Sequence, residues 1–136
     1  MSTDMTIEPI TGRYVTITAA GRPYRIYFEE AGQGQPVLCL HTAGADTRQW
    51  RHIMNDAAIT KDHRVIAIDM PWHGKSLPPE GWETKEYLLT TAFYIEVVLA
   101  VVAALDLDRP IYAGCSMGGR IALQLALHHG APFKGF

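Results

Sequence analysis

The residues of this chain best placed to do chemistry are Gly114-Cys115-Ser116-Met117-Gly118, which fit the pattern G-x-S-x-G. They lie between a short apolar run, Ile111-Tyr112-Ala113, and a segment carrying Ile121, Ala122, Leu123, Leu125, Ala126 and Leu127. The first reads as a buried strand and the second as a helix. A tight turn from strand to helix excludes large side chains two residues before and two after its apex, and both places hold glycine. The serine is thereby forced outward, beside the unpaired N–H groups and positive dipole end of the helix, which favour developing negative charge. That arrangement suits acyl transfer through a serine nucleophile. The alternative is purely structural: Gly114, Gly118 and Gly119 let a strand and a helix pack closely, and Ser116 is an ordinary N-cap. A dinucleotide site fits less well, because the spacing is not G-x-G-x-x-G and the strand is not the first of its unit. Gly32-Gln33-Gly34 precedes a strand and reads only as a turn.

Several elements must position that serine. Tyr14-Val15-Thr16-Ile17-Thr18 alternates polar and apolar, Gly21-Arg22-Pro23 signals a turn, and Tyr24 to Glu29 is again β-rich, so the chain opens with an antiparallel hairpin. Val37-Leu38-Cys39-Leu40 and Val65-Ile66-Ala67-Ile68, like Ile111-Tyr112-Ala113, are continuous apolar runs of the kind buried on both faces of a parallel sheet. Asp46 to Ala58 and Glu83 to Leu105 supply two helices, with connections long enough for right-handed crossovers. The helix after Ser116 is expected to close with His128 and His129 near its end, Gly130 at C′ and Pro132 beyond. Leu77-Pro78-Pro79-Glu80-Gly81 reads as a surface loop. The predicted order is three strands, then helix, strand, helix, strand, helix. Phe133-Lys134-Gly135-Phe136 reads as the first residues of a further strand, so the expectation is one α/β domain cut short, with an apolar edge at Ile111-Tyr112-Ala113 that needs cover.

With 48% hydrophobic and 19% charged residues among 136, the composition is that of a globular domain, and the length admits one at most. A net charge of -2, with basic residues scattered singly, offers no patch for nucleic acid or anionic lipid. Leu88 to Leu105 is the one stretch apolar enough to compare with a membrane span, but Thr90, Thr91 and Glu96 interrupt it and it reads as a buried helix. Cys39 and Cys115 lie in apolar runs, and Met1-Ser2-Thr3-Asp4-Met5 lacks the basic-then-apolar order of a secretory signal. Two free buried thiols in a cytoplasmic protein are therefore expected. His52, His63 and His73 fit no metal-ligand spacing, so neither metal nor cofactor is expected.

Three further segments carry a resemblance to the α/β-hydrolases. Leu40-His41-Thr42-Ala43-Gly44-Ala45-Asp46 resembles the family's H-G-x-G loop, Asp69-Met70-Pro71-Trp72-His73-Gly74-Lys75-Ser76 its D-x-P-G-H-G-x-S segment, and Gly32-Gln33-Gly34-Gln35-Pro36 its G-x-G-x-P turn. They stand in the family's order and spacing relative to Ser116. The resemblance implies that residues 1–136 are the N-terminal half of an α/β-hydrolase fold: part of a single domain, stopping before a sixth strand. Its mostly parallel sheet would have an antiparallel N-terminal hairpin, helices on both faces and strand order 1-2-4-3-5. It also implies Ser116 as nucleophile, Gly114 and Gly118 as supports of its turn, and an oxyanion hole made by the backbone N–H groups of Ala43 and Met117. There are two departures. Thr42 replaces a glycine, which makes its own N–H a second candidate donor. Trp72 replaces a glycine in the P-G-H-G turn, and because a bulky residue tolerates positive φ poorly the turn is expected to differ locally. Trp72 reads first as an apolar lid on the core and otherwise as a wall of the pocket mouth.

In this family the triad runs Ser, then Asp or Glu, then His. No acid follows Ser116, and His128 lies twelve residues along the helix, ~18 Å at ~1.5 Å per residue. The catalytic acid and histidine are therefore expected outside these residues, in a C-terminal remainder of the same domain that is present as a second chain or a further segment. His41 and Asp69, at the carboxyl ends of strands, are the substitutes on offer, at positions the family uses to organise loops. The function expected is a serine hydrolase that cleaves an ester, thioester, lactone or activated carbon–carbon bond of a small-molecule substrate through an acyl-enzyme. Residues 1–136 alone are expected to be silent. Relatives acting on epoxides or haloalkanes carry aspartate at the nucleophile position, unlike this chain. Acyl transfer to another acceptor, peracid formation in the manner of cofactor-free haloperoxidases, and ligand capture without turnover stay open as alternatives.

Overall fold

A computed structural model describes residues 5–86 and 89–136. The hairpin forms as the alternation predicts: β1 (Thr11–Ala19) pairs antiparallel with β2 (Arg22–Ala31), from Thr11 opposite Glu30 to Ala19 opposite Arg22. Ala20 and Gly21 close it at φ 49° and 73°, the doubly left-handed geometry whose twist suits a two-residue hairpin. The three apolar runs become β3 (Gln35–Leu40), β4 (His63–Ile68) and β5 (Ile111–Gly114). β3 pairs in parallel with both β4 and β5, and β4 pairs antiparallel with β2, giving the sheet order β1-β2-β4-β3-β5. This is the predicted order.

Because successive strand residues face opposite ways, the central strands feed two cores. Leu38, Leu40, Ile66 and Ile68 join one with Ile26 and Phe28, while Cys39, Val65 and Ala67 join a smaller one with Met54. The larger core is roofed by α3 (Thr91–Ala104), which buries Phe93, Tyr94, Val97, Val98, Val101 and Val102, and by α4 (Met117–His128), which buries Ile121 and Leu125. Glu96, the charge that interrupts the apolar stretch, accepts a hydrogen bond from Ala20 N at 2.7 Å and so ties α3 to the hairpin turn. No helix among the described residues is long and apolar enough to cross a membrane.

The helical segments are shorter than the apolar spacing predicts. Asp46 to Ala58 is not one helix but a 3₁₀ turn (Thr47–Trp50), α1 (Arg51–Met54) and α2 (Ala57–Thr60). Asp56 breaks it: its backbone is extended (φ −91°, ψ 105°) and its carboxylate accepts from Ala58 N, so it caps a new helix where the old one would continue. Likewise Glu83 to Leu105 divides into a 3₁₀ turn (Trp82–Thr84) and α3, whose start is fixed by Thr90 Oγ1 accepting from Phe93 N. Tyr87 and Leu88, inside that stretch, lie outside the described residues. Gly130 follows α4 but does not take the left-handed conformation expected at C′, since the helix ends on a bond from His129 N to Leu125 O at 2.7 Å. Beyond it the chain returns to β5. Lys134 N donates to Pro110 O, Tyr112 N donates to Gly135 O, and Ile111 and Gly135 form a parallel bridge, so the tail begins a strand as its sequence suggests.

Two close packings hold these layers in register. The backbone of Gly118 lies so near Leu40 that a Cβ there would collide with the Leu40 carbonyl oxygen, and a Cβ on Gly114 would collide with the Gly118 carbonyl oxygen. Gly119 has no such restriction, a Cβ there meeting only ordinary contacts. On the other face, buried Glu29 of β2 takes a two-pronged bond from Arg51 of α1, at 2.9 and 2.7 Å, and a third from the Tyr27 hydroxyl.

Two predictions follow from these packings. Gly118→Ala should destabilise the intact protein by about 1–3 kcal/mol, the usual cost of overpacking, while Gly119→Ala should not. Parallel thermal denaturation of both variants measures this. The Arg51 guanidinium, and then the Tyr27 hydroxyl, hold the Glu29 carboxyl below its ordinary value against the opposing effect of burial. A depressed carboxyl contributes stability that is complete above its unfolded pKa, ~4.3, and is lost as pH falls through the folded value. The margin of wild type over Glu29→Gln should therefore be level at neutral pH and shrink below about pH 4.

Candidate active site

The turn that joins β5 to α4 is built around an outlier. Ser116 has φ 54° and ψ −111°, a backbone conformation that an L residue adopts at a cost on the order of 1–3 kcal/mol. It is exposed, and its hydroxyl caps nothing: the N-terminus of α4 receives no side-chain hydrogen bond from it. The reading of Ser116 as an ordinary N-cap thus fails on geometry. The strain is held by the glycine contacts on either side and by Tyr112, whose buried hydroxyl donates to Gly118 O at 2.9 Å.

Ala43 and Met117, the residues named for an oxyanion hole, line one cavity of about 420 Å³ together with Trp72, His73 and Tyr94. The Ala43 and Met117 amides have no acceptor among the described residues. Thr42 differs: its N–H donates to Gln49 Oε1 at 2.9 Å, and its carbonyl accepts from Ala45 N and from the His41 ring. Nothing in the sequence singles out Gln49, because a glutamine seven residues away in a surface turn carries no motif.

His41 is fully buried and its ring spans two loops, with Nδ1 2.7 Å from Thr42 O and Nε2 3.1 Å from Met70 N. An amide must donate to Nε2 and a carbonyl must accept from Nδ1, so the partners themselves assign the neutral tautomer. Burial pushes the His41 pKa down, which favours the same state. Asp69 is equally committed. Oδ1 accepts from Thr47 N and Oδ2 from Lys75 N, while its carbonyl accepts from buried Ser76, which in turn accepts from Tyr27 N. Burial raises the Asp69 pKa, and the two amides oppose that rise. Both His41 ring nitrogens and both Asp69 carboxylate oxygens are engaged by backbone groups of these loops, so both side chains organise loops.

Gly74 allows the Asp69 loop to close, since a Cβ there would strike the carboxylate and its φ is 52°. Trp72 takes φ 65°, the left-handed conformation that glycine adopts freely and a bulky residue only under strain. Its half-buried ring packs against the larger core, 6.2 Å from the Tyr24 ring, and also lines both the 420 Å³ cavity and an outer cleft of about 380 Å³ shared with Trp82, Glu83 and Lys85. It is therefore core lid and pocket wall at once.

Cys39 is buried, and burial lifts its thiol to about 12. Cys115 is exposed, contrary to expectation, because it lies past the end of β5, where its N–H donates to the Leu40 carbonyl and its own carbonyl accepts from Gly118 N while no element among the described residues covers its side chain. His128 and His129 are exposed at the far end of α4. Among the described residues no three His, Cys, Asp or Glu side chains cluster as metal ligands would. A separate cavity of about 280 Å³, bounded by Tyr27, Glu29, Arg48, Arg51 and Asp69, is lined by groups already paired with one another.

Comparison with known proteins agrees with this architecture. A family model described as the alpha/beta hydrolase fold matches residues 35–136. The chain is 35% identical over 101 residues to the dihydrolipoyllysine-residue acetyltransferase component of an acetoin cleaving system from Pseudomonas putida, covering 74% of this chain and 25% of that protein. It is 29% identical over 131 residues to a 2-hydroxy-6-oxononadienedioate/2-hydroxy-6-oxononatrienedioate hydrolase from Escherichia coli, covering 94% and 44%. An epoxide hydrolase from Vigna radiata superposes with a TM-score of 0.78 at 22% identity, over 96% of this chain and 38% of that one, a likeness of fold alone. The chain thus spans from a quarter to under a half of the length of these proteins. With the strand order, the strained serine turn and a family match over three quarters of its residues, this chain belongs to the alpha/beta hydrolase fold family.

Proposed function

We propose that this chain carries the nucleophile and oxyanion hole of a serine hydrolase acting on an ester, thioester, lactone or activated carbon–carbon bond. The observation that carries the reading is the conformation of Ser116: exposed, strained and free of any capping duty beside the N-terminus of α4. A fold maintains such strain when the exposed side chain is used. In acylation the Ser116 Oγ forms a bond to the substrate carbonyl carbon, its proton passes to a base, and the carbonyl π electrons move onto oxygen. The amides of Ala43 and Met117 are the donors assigned to that oxygen, since Thr42 N–H is already held by Gln49. Collapse of the intermediate expels the leaving group and leaves an acyl-serine, which water then hydrolyses.

His41 and Asp69 are spent on loop structure, so the base and its orienting acid are assigned to a part of the protein beyond these residues, and the 136 residues alone are inactive. The Escherichia coli relative, by its name a hydrolase, favours transfer of the acyl group to water. The Pseudomonas putida relative, by its name an acetyltransferase component, favours a second reading in which the acyl-serine passes its group to an acceptor other than water.

In the intact protein, a fluorophosphonate probe should label wild type covalently and leave Ser116→Ala unlabelled. Absence of labelling in wild type would overturn the proposal in favour of a ligand-binding role. Added alcohol or thiol acceptors separate the two readings: product partitioning that follows acceptor concentration identifies a transferase, and partitioning indifferent to it identifies a hydrolase.

A further inference from the structure

Trp72 combines three observations that packing alone does not reconcile. It holds a left-handed backbone (φ 65°) that glycine would adopt without strain, although it has a bulky side chain. One side of its ring is braced by buried Tyr24, which lies 5.3 Å from Phe93, so the indole is fixed from the core outward. Its remaining surface bounds both the cavity that contains Ala43 and Met117 and the outer cleft that contains Trp82. If the residue served only as a lid, the strain would bring nothing that a glycine turn beneath another apolar side chain would lack.

Resting on the serine-hydrolase reading above, we infer that Trp72 is a specificity-determining wall that selects substrates with a flat, unsaturated or aromatic acyl group. A reacting carbonyl held by the Ala43 and Met117 amides lies in a cavity with the indole as one side. A planar group conjugated to that carbonyl can lie along the ring and continue toward Trp82, whereas a short saturated acyl chain gains little contact with it. The ring is oriented before substrate arrives, so ordering it costs little on binding.

The test compares p-nitrophenyl benzoate with p-nitrophenyl acetate in the intact protein, two esters with one leaving group and different acyl groups. The kcat/KM ratio of benzoate to acetate should fall roughly three- to tenfold in Trp72→Gly and in Trp72→Leu, which is apolar but not flat, and should be kept in Trp72→Phe. Retained fluorophosphonate labelling of Ser116 in each variant shows that the fold and the nucleophile persist, which separates lost selectivity from unfolding. An unchanged ratio in Trp72→Gly and Trp72→Leu, or an equal fall in Trp72→Phe, overturns the inference while fluorophosphonate labelling of wild type keeps the hydrolase reading. A wild type that does not label removes both.

Discussion

The contact between α4 and the end of β3 is the constraint on which the rest of the site depends. Backbone touches backbone there, with no room for a Cβ on Gly118 against the Leu40 carbonyl or on Gly114 against Gly118. A helix packed that closely cannot leave its strand through a relaxed loop, and the whole change of direction falls on Ser116, at φ 54° and ψ −111°. The energy that sustains the distortion comes from the larger core, where Ile121 and Leu125 anchor α4 beside Leu38, Leu40 and Tyr112. Strain at one residue is therefore balanced by burial at many, which is how a fold keeps a side chain in a position it would not choose.

The same strand end organises the facing loop. Leu40, whose carbonyl meets α4 and accepts from Cys115 N, is followed at once by His41, whose ring joins the Thr42 and Met70 backbones. Asp69 continues the chain of contacts through Thr47, Lys75 and Ser76. The loops after β3 and β4 are thus coupled through two buried side chains, and the loop after β5 joins them through the Leu40 carbonyl. This explains why titratable residues at strand ends, which suggest catalysis in open α/β sheets, here have a different task. A base must present its lone pair to the hydroxyl it activates, whereas these groups are turned toward the backbone amides and carbonyl of their own loops.

Much of the fold was legible because its signals are physical and local. Continuous apolar runs gave the buried strands, the alternation gave the hairpin, with the turn signal at Gly21-Arg22-Pro23 falling one residue late of the observed Ala20-Gly21 turn, and the glycines around Ser116 gave the tight turn. Helix lengths were less legible, since Asp56 and Thr90 compete as caps inside stretches whose apolar spacing runs on without a break. At the candidate site, the tight turn centred on Ser116 was legible in the sequence. Gln49, which holds Thr42, was not, because its role exists only once the turn at Thr47–Trp50 brings it back over the loop. The exposure of Cys115 was equally hidden, being a property of an edge strand and not of the apolar run that precedes it.

Trp72 shows how a departure from a family pattern is best interpreted. A bulky residue in a glycine position has two outcomes: the backbone relaxes into an allowed region and the turn changes, or the surroundings enforce the original path and the residue bears the strain. The second holds here because Gly74, two residues on, is locked beneath the Asp69 carboxylate, and because His73 N and Ser76 N complete successive turns to Met70 O and His73 O. With both sides of the turn fixed, φ at residue 72 is not free to adjust. The path of the loop is thus held by its hydrogen bonds, and residue 72 bears a bounded cost in strain. A side chain held in that way at the wall of a cavity shapes what the cavity accepts without altering the turn that carries it.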